Sequence, residues 1–436
     1  MVGAFCWGDA AEASPHFDFR GKSCHGSIVP GGMHIENVVV STLSKIRKTR
    51  SFTSSRRKLS PGRIQEFALH IFGESMHAKR VMSLGNAVIG LIHAAVASIH
   101  AIGAAYAATA GILPQSGVKQ IDRLLSNANV LTRYIQQKWV QFVVAERPEL
   151  LLAMDWTEFD DDDHSTLAVY VITDHGRATP LAWRTHQKSR LKDHQKEYEH
   201  EMIACLREWL APKTRVTLLA DRGFGDQKLY KVLMEFGWDF VIRFRGNIKV
   251  TGLMGASMDA SKWVPFTGRA KLLSGVRVTR DMFPVPAVVT CWDKKMKEPW
   301  CLATTLSKCS ATSIVKKYGR RFTIEETFRD QKNSRFGMGL KATHIRSADR
   351  RDRLLLVTAI AHSLMTLLGA AAERCGMDSY VKVNTVKRRT RSLYRQGLYW
   401  YAAMPNMPHE RLVPLMRSFA QVIREHENIC EILGVL

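Results

Sequence analysis

Three carboxylates, and a fixed pattern around the last of them, are the residues of this chain best suited to chemistry. Asp155 stands at the end of the apolar run "LLLAMDW", and Asp221 closes "RVTLLAD". A charge at the end of a buried run is costly unless something compensates its desolvation, and a bound cation does so. Two ionised carboxylates side by side repel, and a divalent metal removes that repulsion. Each also has an ordinary reading. Asp155 alone is a surface acid at a strand end, and Asp221 alone begins the turn "DRG", a role compatible with metal binding. Glu325 lies in "YGRRFTIEETFRDQK", where Tyr318, Arg321, Glu325 and Lys332 read Y-x2-R-x3-E-x6-K. The pattern predicts a helix over 313–335. On it, steps of four and seven put Arg321, Glu325 and Lys332 on one face, with Tyr318 on the same side. An acid flanked by two cations and a phenol suits a phosphodiester: metal at the scissile phosphorus, cations and hydroxyl on neighbouring phosphates. Considered alone, the stretch also reads as a charged helix surface laced with i,i+4 ion pairs. Glu326 points about 100° away from that face.

These side chains need a scaffold that brings distant segments together. The texture of the chain changes at Leu150. "LLLAMDWTEF", "LAVYVIT" and "ATPLAWRT" read as three antiparallel strands, the last two joined by a turn at "DHGR". A helix is expected over 193–210, then the strand "RVTLLAD", the helix "DQKLYKVLMEFG" and the strand "DFVIRFR". Three strands followed by alternating helix and strand is the arrangement of an RNase H-like α/β domain. In such a sheet the first and fourth strands are neighbours, so Asp155 and Asp221 are expected side by side. The expected organisation is a disordered or basic arm over 1–63, with Met33 a candidate start, and a helical DNA-binding domain over 64–147. The first part of the core follows over 148–246, then a mostly β insertion over 247–312. Residues 313–376 complete the core with the catalytic helix, and 377–436 form a C-terminal helical region. Within 64–147, the stretch from Gly111 to Leu125 reads as a helix–turn–helix carrying Lys119 and Arg123, with Arg133 beyond it. The long apolar helix from Arg353 to Glu373 is read either as a dimer contact or as packing against the sheet.

Composition narrows the partners. The 436 residues carry 63 Lys and Arg against 40 Asp and Glu, a formal charge of +23 spread along the chain. Such an excess favours a polyanion such as nucleic acid, although it also fits a merely basic protein. Eight cysteines include no C-x-x-C pair, which argues against a zinc ribbon or a disulfide framework and for reduced thiols. No signal peptide is evident. The apolar stretch from Val81 to Leu113 contains Asn86, His93 and His100 and is read as packed helices rather than a membrane span.

With these motifs in hand, the sequence resembles the DDE transposases of bacterial insertion sequences, in the insertion-sequence-four family. The resemblance runs from about Leu150 to Gly369. It is carried by "DWT", "LLADRGFGD" and the Tyr-Arg-Glu-Lys signature at Tyr318, Arg321, Glu325 and Lys332. The long gap between Asp221 and Glu325 leaves room for the β insertion that this family carries. The resemblance implies that Asp155, Asp221 and Glu325 hold two Mg²⁺ ions about 3.5–4 Å apart, with Mn²⁺ able to substitute. It implies cleavage at transposon ends and strand transfer into target DNA, through a homodimer, in the bacterial cytoplasm at the nucleoid and without a membrane. It assigns Tyr318, Arg321 and Lys332 to DNA phosphates. In the branch that forms hairpin ends it assigns Trp300, or Trp292 in its place, to stacking on a flipped base. The alternatives are a DNA-binding regulator with structural acids, a nuclease that hydrolyses without joining, and an inactive copy.

Overall fold

The computed structural model describes residues 61–145, 147–294, 296–333, 338–383, 385–386 and 389–428. The expected arm, apart from 61–63, and the candidate start at Met33 lie outside the described residues.

Helices precede the first strand: α1 (Pro61–Phe72), α2 (Ala78–Ala94), α3 (Ile99–Ala110), α4 (Pro114–Ser126) and α5 (Arg133–Val144). The apolar stretch 81–113 is not one rod, because α2 and α3 meet at 98°. Ser98 caps α3 by accepting the Ala101 N–H at 3.1 Å. Gly111 closes it in the left-handed region, and Pro114 opens α4 at a position where no backbone N–H is needed. The stretch from Gly111 to Leu125 therefore turns directly from one helix into the next, with Lys119 and Arg123 exposed on α4.

β1 (Glu149–Thr157) is buried from Leu150 to Met154, on both faces of the sheet, as a central strand with a continuous apolar run should be. It is followed by β2 (His164–Val171), β3 (Thr179–Gln187), α6 (Gln195–Trp209), β4 (Arg215–Ala220), α7 (Gln227–Glu235) and β5 (Asp239–Phe244). The turn between β2 and β3 uses Gly176 at φ 89°, a conformation that favours glycine. β1 pairs antiparallel with β2 and parallel with β4, and β4 pairs parallel with β5.

The β-rich stretch supplies β6 (Lys249–Thr251), β7 (Ser257–Asp259), β8 (Lys271–Val278), β9 (Phe283–Cys291) and β10 (Trp300–Thr304). β10 pairs antiparallel with β5, so these strands extend the central sheet. Its order is β3-β2-β1-β4-β5-β10-β9-β8-β6-β7.

Two helices, α8 (Ala311–Gly319) and α9 (Phe322–Lys332), replace the single helix expected over 313–335. The chain breaks at Arg320 and Arg321, so Tyr318 stands on a different helix from Glu325. α10 (Ala348–Arg374), α11 (Leu393–Ala403) and α12 (His409–Asn428) complete the chain. α10 is long and apolar enough to cross a membrane, yet its apolar window is wholly buried within the protein. The reading of residues 353–373 as a dimer contact is thereby corrected, because the protein's own elements cover this helix. The Asp352 carboxylate accepts the Thr185 N–H of β3 at 3.0 Å, and Arg353 Nε donates to the Leu125 carbonyl at 2.6 Å.

α10 and α11 cross at two glycines. A Cβ added at Gly397 would stand 1.8 Å from the Met365 carbonyl oxygen, and one at Gly369 1.9 Å from that of Leu393. Backbone cannot retreat as a flexible side chain can. Gly397→Ala is therefore expected to destabilise by about 1–3 kcal/mol or more, despite the better helix propensity of alanine. Urea unfolding checks this, and a variant as stable as the parent contradicts so close a crossing.

Candidate active site

The register of two parallel strands brings the first two acids together. Met154 pairs with Ala220 on the last rung of β1 and β4, so Asp155 and Asp221 follow on adjacent strands about 4.8 Å apart. Each uses one carboxylate oxygen to hold its own chain. Asp155 Oδ1 accepts the Trp156 N–H at 2.9 Å, and Asp221 Oδ1 accepts the Gly223 N–H at 2.8 Å. Asp221 therefore caps a turn as well as ending a strand.

Glu325 reaches them from the first turn of α9, where the helix dipole favours an acid. Arg321 joins the two sides. Its guanidinium donates to Asp155 Oδ2 at 3.1 Å and to Glu325 Oε1 at 2.6 Å. It lies 4.9 Å from the Phe322 ring centroid and 5.9 Å from that of Tyr318, within reach of a cation–π attraction. Tyr318 itself is 1% exposed. It packs edge-on to Trp300 at 4.9 Å, and burial pushes its hydroxyl up to about 12. Tyr318 and Arg321 thus stand behind the carboxylates, while Glu325 keeps 49% of its side chain exposed. Trp300 is half-buried between Tyr318 and Phe322. Trp292 is the more open indole, with its N–H donated to the Met296 carbonyl.

A cleft of about 490 Å³ opens over this group, lined by Asp155, Trp156, Glu325, Phe328, Arg329, Lys332 and Lys341 among others. Lys332 lies 5.9 Å from the ring centroids of Phe159 and Phe328, and burial lowers its ammonium below the ordinary 10.5. Asp221 stands outside this lining. Glu326 turns away and pairs with Arg329 and, at 3.7 Å, with Arg177.

Sequence patterns did not single out Lys341 or Arg329. They also passed over Glu298, which accepts from Arg222 at 3.0 Å and from Arg243 at 2.7 Å and so steadies the loop beyond Asp221. No local signal distinguishes such residues from ordinary surface charges.

Burial pushes the Asp155 carboxyl from 3.8 to about 6. Arg321 pulls it down, whereas Asp221 and Glu325 push it further up. One arginine thus undercompensates the burial of Asp155 beside two further acids. Among the described residues no three His, Cys, Asp or Glu side chains close up far enough to hold one metal ion, and Arg321 spans Asp155 and Glu325. The chemistry of the donors still fits a hard divalent cation. Asp155, Asp221 and Glu325 supply only oxygen ligands, and their mutual repulsion calls for more positive charge than Arg321 provides.

No curated protein matches the chain. Residues 149–364, from β1 into α10, match the family model described as the transposase DDE domain, and Asp155, Asp221 and Glu325 all lie inside the matched stretch.

Proposed function

We propose that the chain is a DNA transposase of the insertion-sequence-four type that cuts at transposon ends and joins them to target DNA. The observation that carries this reading is that Asp155 and Asp221 directly follow the last paired rung of β1 and β4, with Glu325 tied to Asp155 through Arg321. The β3-β2-β1-β4-β5 half of the sheet, antiparallel then parallel, supports an RNase H-like core with 247–312 as its β insertion.

Asp155, Asp221 and Glu325 would hold the divalent cations, two Mg²⁺ with Mn²⁺ as a substitute. When bound, such ions supply Lewis-acid activation of the phosphodiester and of the attacking oxygen. Lys332, with Lys341 and Arg329 beside it, would hold the phosphates that flank the scissile bond along the cleft. Tyr318 and Trp300 hold Arg321 in position to steady the carboxylates and to share the charge of the phosphate. Water displaces the 3′-oxygen at the transposon end. The freed 3′-hydroxyl then attacks a target phosphodiester, whose own 3′-oxygen leaves. Each step exchanges one P–O bond for another, and no covalent protein–DNA intermediate is needed. If a base flips out, Trp292 offers the more open stacking face, a contact worth about 1–3 kcal/mol. Residues 64–147 would read the terminal repeats through α4, using Lys119 and Arg123, the latter on one groove with Lys79 and Arg80. Arg133 is less suited to this, since it pairs with Glu208 at 2.5 Å. Synapsis of two ends would use a homodimer.

The test is cleavage and joining of DNA carrying the flanking terminal repeats, with Mg²⁺ supplied or withheld. Cutting without joining of pre-cut ends supports a nuclease instead, and binding without cutting supports a regulator. If about 6–10 phosphates are contacted, affinity falls about 10³–10⁵-fold between 50 and 200 mM salt. Filter binding measures this, and a flat salt response contradicts a DNA role for the net charge.

A further inference from the structure

Behind the two strand-end acids lies a polar link that the reaction as described does not use. Glu199 of α6 is fully buried. Its Oε1 accepts the Trp156 indole N–H at 3.0 Å and the Gln195 side-chain amide at 3.2 Å, and its Oε2 accepts from Lys196 Nζ at 2.9 Å. The same Lys196 Nζ donates to the Gly223 carbonyl at 2.7 Å and lies 5.7 Å from the Phe224 ring centroid. Trp156 and Gly223 are the residues whose backbone N–H groups hold Asp155 Oδ1 and Asp221 Oδ1. One buried carboxylate and one lysine thus grip both residues that orient the two acids.

We propose that Lys196 and Glu199 are positioning residues that fix the separation and the rotation of Asp155 and Asp221, and so set the affinity of the site for divalent cations. A parallel rung aligns the two backbones, but each carboxylate can still swing about its Cα–Cβ bond. Holding one oxygen of each on a clamped N–H restricts that swing and leaves the other oxygen available. Trp156 ties the clamp to β1 and Gly223 ties it to the loop beyond β4, so movement of either strand end strains the same ion pair. Partners that orient metal ligands typically change affinity or activity by about 10–100-fold when removed. The inference rests on the metal-dependent reading of the acids.

The test uses the full chain and Mn²⁺, with two readouts: the Mn²⁺ concentration for half-maximal cleavage, and the Mn²⁺-induced rise in Tm without DNA. A Lys196→Met/Glu199→Gln double variant removes both charges together and avoids stranding a buried carboxylate. It is expected to need about 10–100-fold more Mn²⁺ in both readouts. Trp156→Phe, which removes the indole N–H together with part of the ring, is expected to shift both in the same direction. It carries the test if the double variant does not fold. Parent-like Mn²⁺ requirements in the folded variants overturn the inference. Asp155→Asn is measured alongside. If it abolishes the Mn²⁺ response while the clamp variants behave as the parent, the inference alone fails. If Asp155→Asn responds to Mn²⁺ as the parent does, the metal-dependent reading fails and takes the inference with it.

Discussion

Asp155→Asn is expected to lose DNA cleavage by more than about 10²-fold, since removing even the partners that orient a metal ligand costs about 10–100-fold. In the metal-free protein the same substitution is expected to raise stability at neutral pH. The folded-state carboxyl is raised to about 6 by burial first, and then by Asp221 and Glu325 against the pull of Arg321. A carboxyl raised on folding binds its proton more tightly in the native state than in the unfolded chain. Stability from this group is therefore full below about pH 4 and is lost as pH rises through about 6. The loss is on the order of 3 kcal/mol. With metal chelated, the gain in Tm from Asp155→Asn should be present at pH 7.5 and largely absent at pH 4. Equal effects at both pH values contradict the desolvation account, and retained cleavage contradicts the assignment of Asp155.

Asp330→Ala is expected to be among the most destabilising single changes outside the apolar core. Asp330 lies five residues after Glu325 on α9 and is 1% exposed. It accepts from Arg177 Nε in the β2–β3 turn and from Arg395 Nη2 of α11 at 3.2 Å. Arg177 is nearly covered, whereas Arg395 keeps contact with water. Removing one partner of a buried ion pair costs about 3–5 kcal/mol, and solvent at Arg395 moves the expectation to the lower end. Because Asp330 ties α9 to the hairpin behind it, Glu325 should also lose its alignment, so cleavage falls along with stability. Glu326→Ala on the same helix is the control. Its close partner Arg329 is largely exposed and its second partner, Arg177, stands at 3.7 Å while held by Asp330, and such pairs contribute about 0–1 kcal/mol. Urea unfolding of the two variants decides the matter, and similar losses for both would remove the structural role given to Asp330.

Much of the scaffold is legible without tertiary information. The strands of residues 149–244 show as apolar runs, because a strand buried on both faces leaves no polar positions to obscure it. Gly176 marks the turn through its positive φ. The acids stand out for a related reason, since Asp155 and Asp221 interrupt or close runs that are otherwise apolar. Around Glu325 the signature conveys chemistry but misleads about geometry. Spacings of three and four fit one helix, whereas the chain bends at Arg320 and Arg321. The arginine that looked like an outward cation turns inward to Asp155 and Glu325. Asp330 was unreadable for a similar cause. Five residues on from Glu325 it falls near the opposite side of the helix, where an acid ordinarily faces water, and only Arg177 and Arg395 arriving from elsewhere make that side an interior.

The sequence by itself determined the local periods, the acids with their cationic neighbours, and the excess of positive charge, because each follows from side-chain chemistry within a few residues. Tertiary structure alone decided three further things. β10 pairs with β5, so the β-rich stretch extends the central sheet. α10 is enclosed from Arg351 to Ala372 by the protein's own elements, so its apolar length serves the core. Lys196 and Glu199 come to lie behind Asp155 and Asp221. Each depends on which distant surfaces meet. Hydrophobic burial drives such meetings without direction, and the pairing of backbone and buried charge then selects among them.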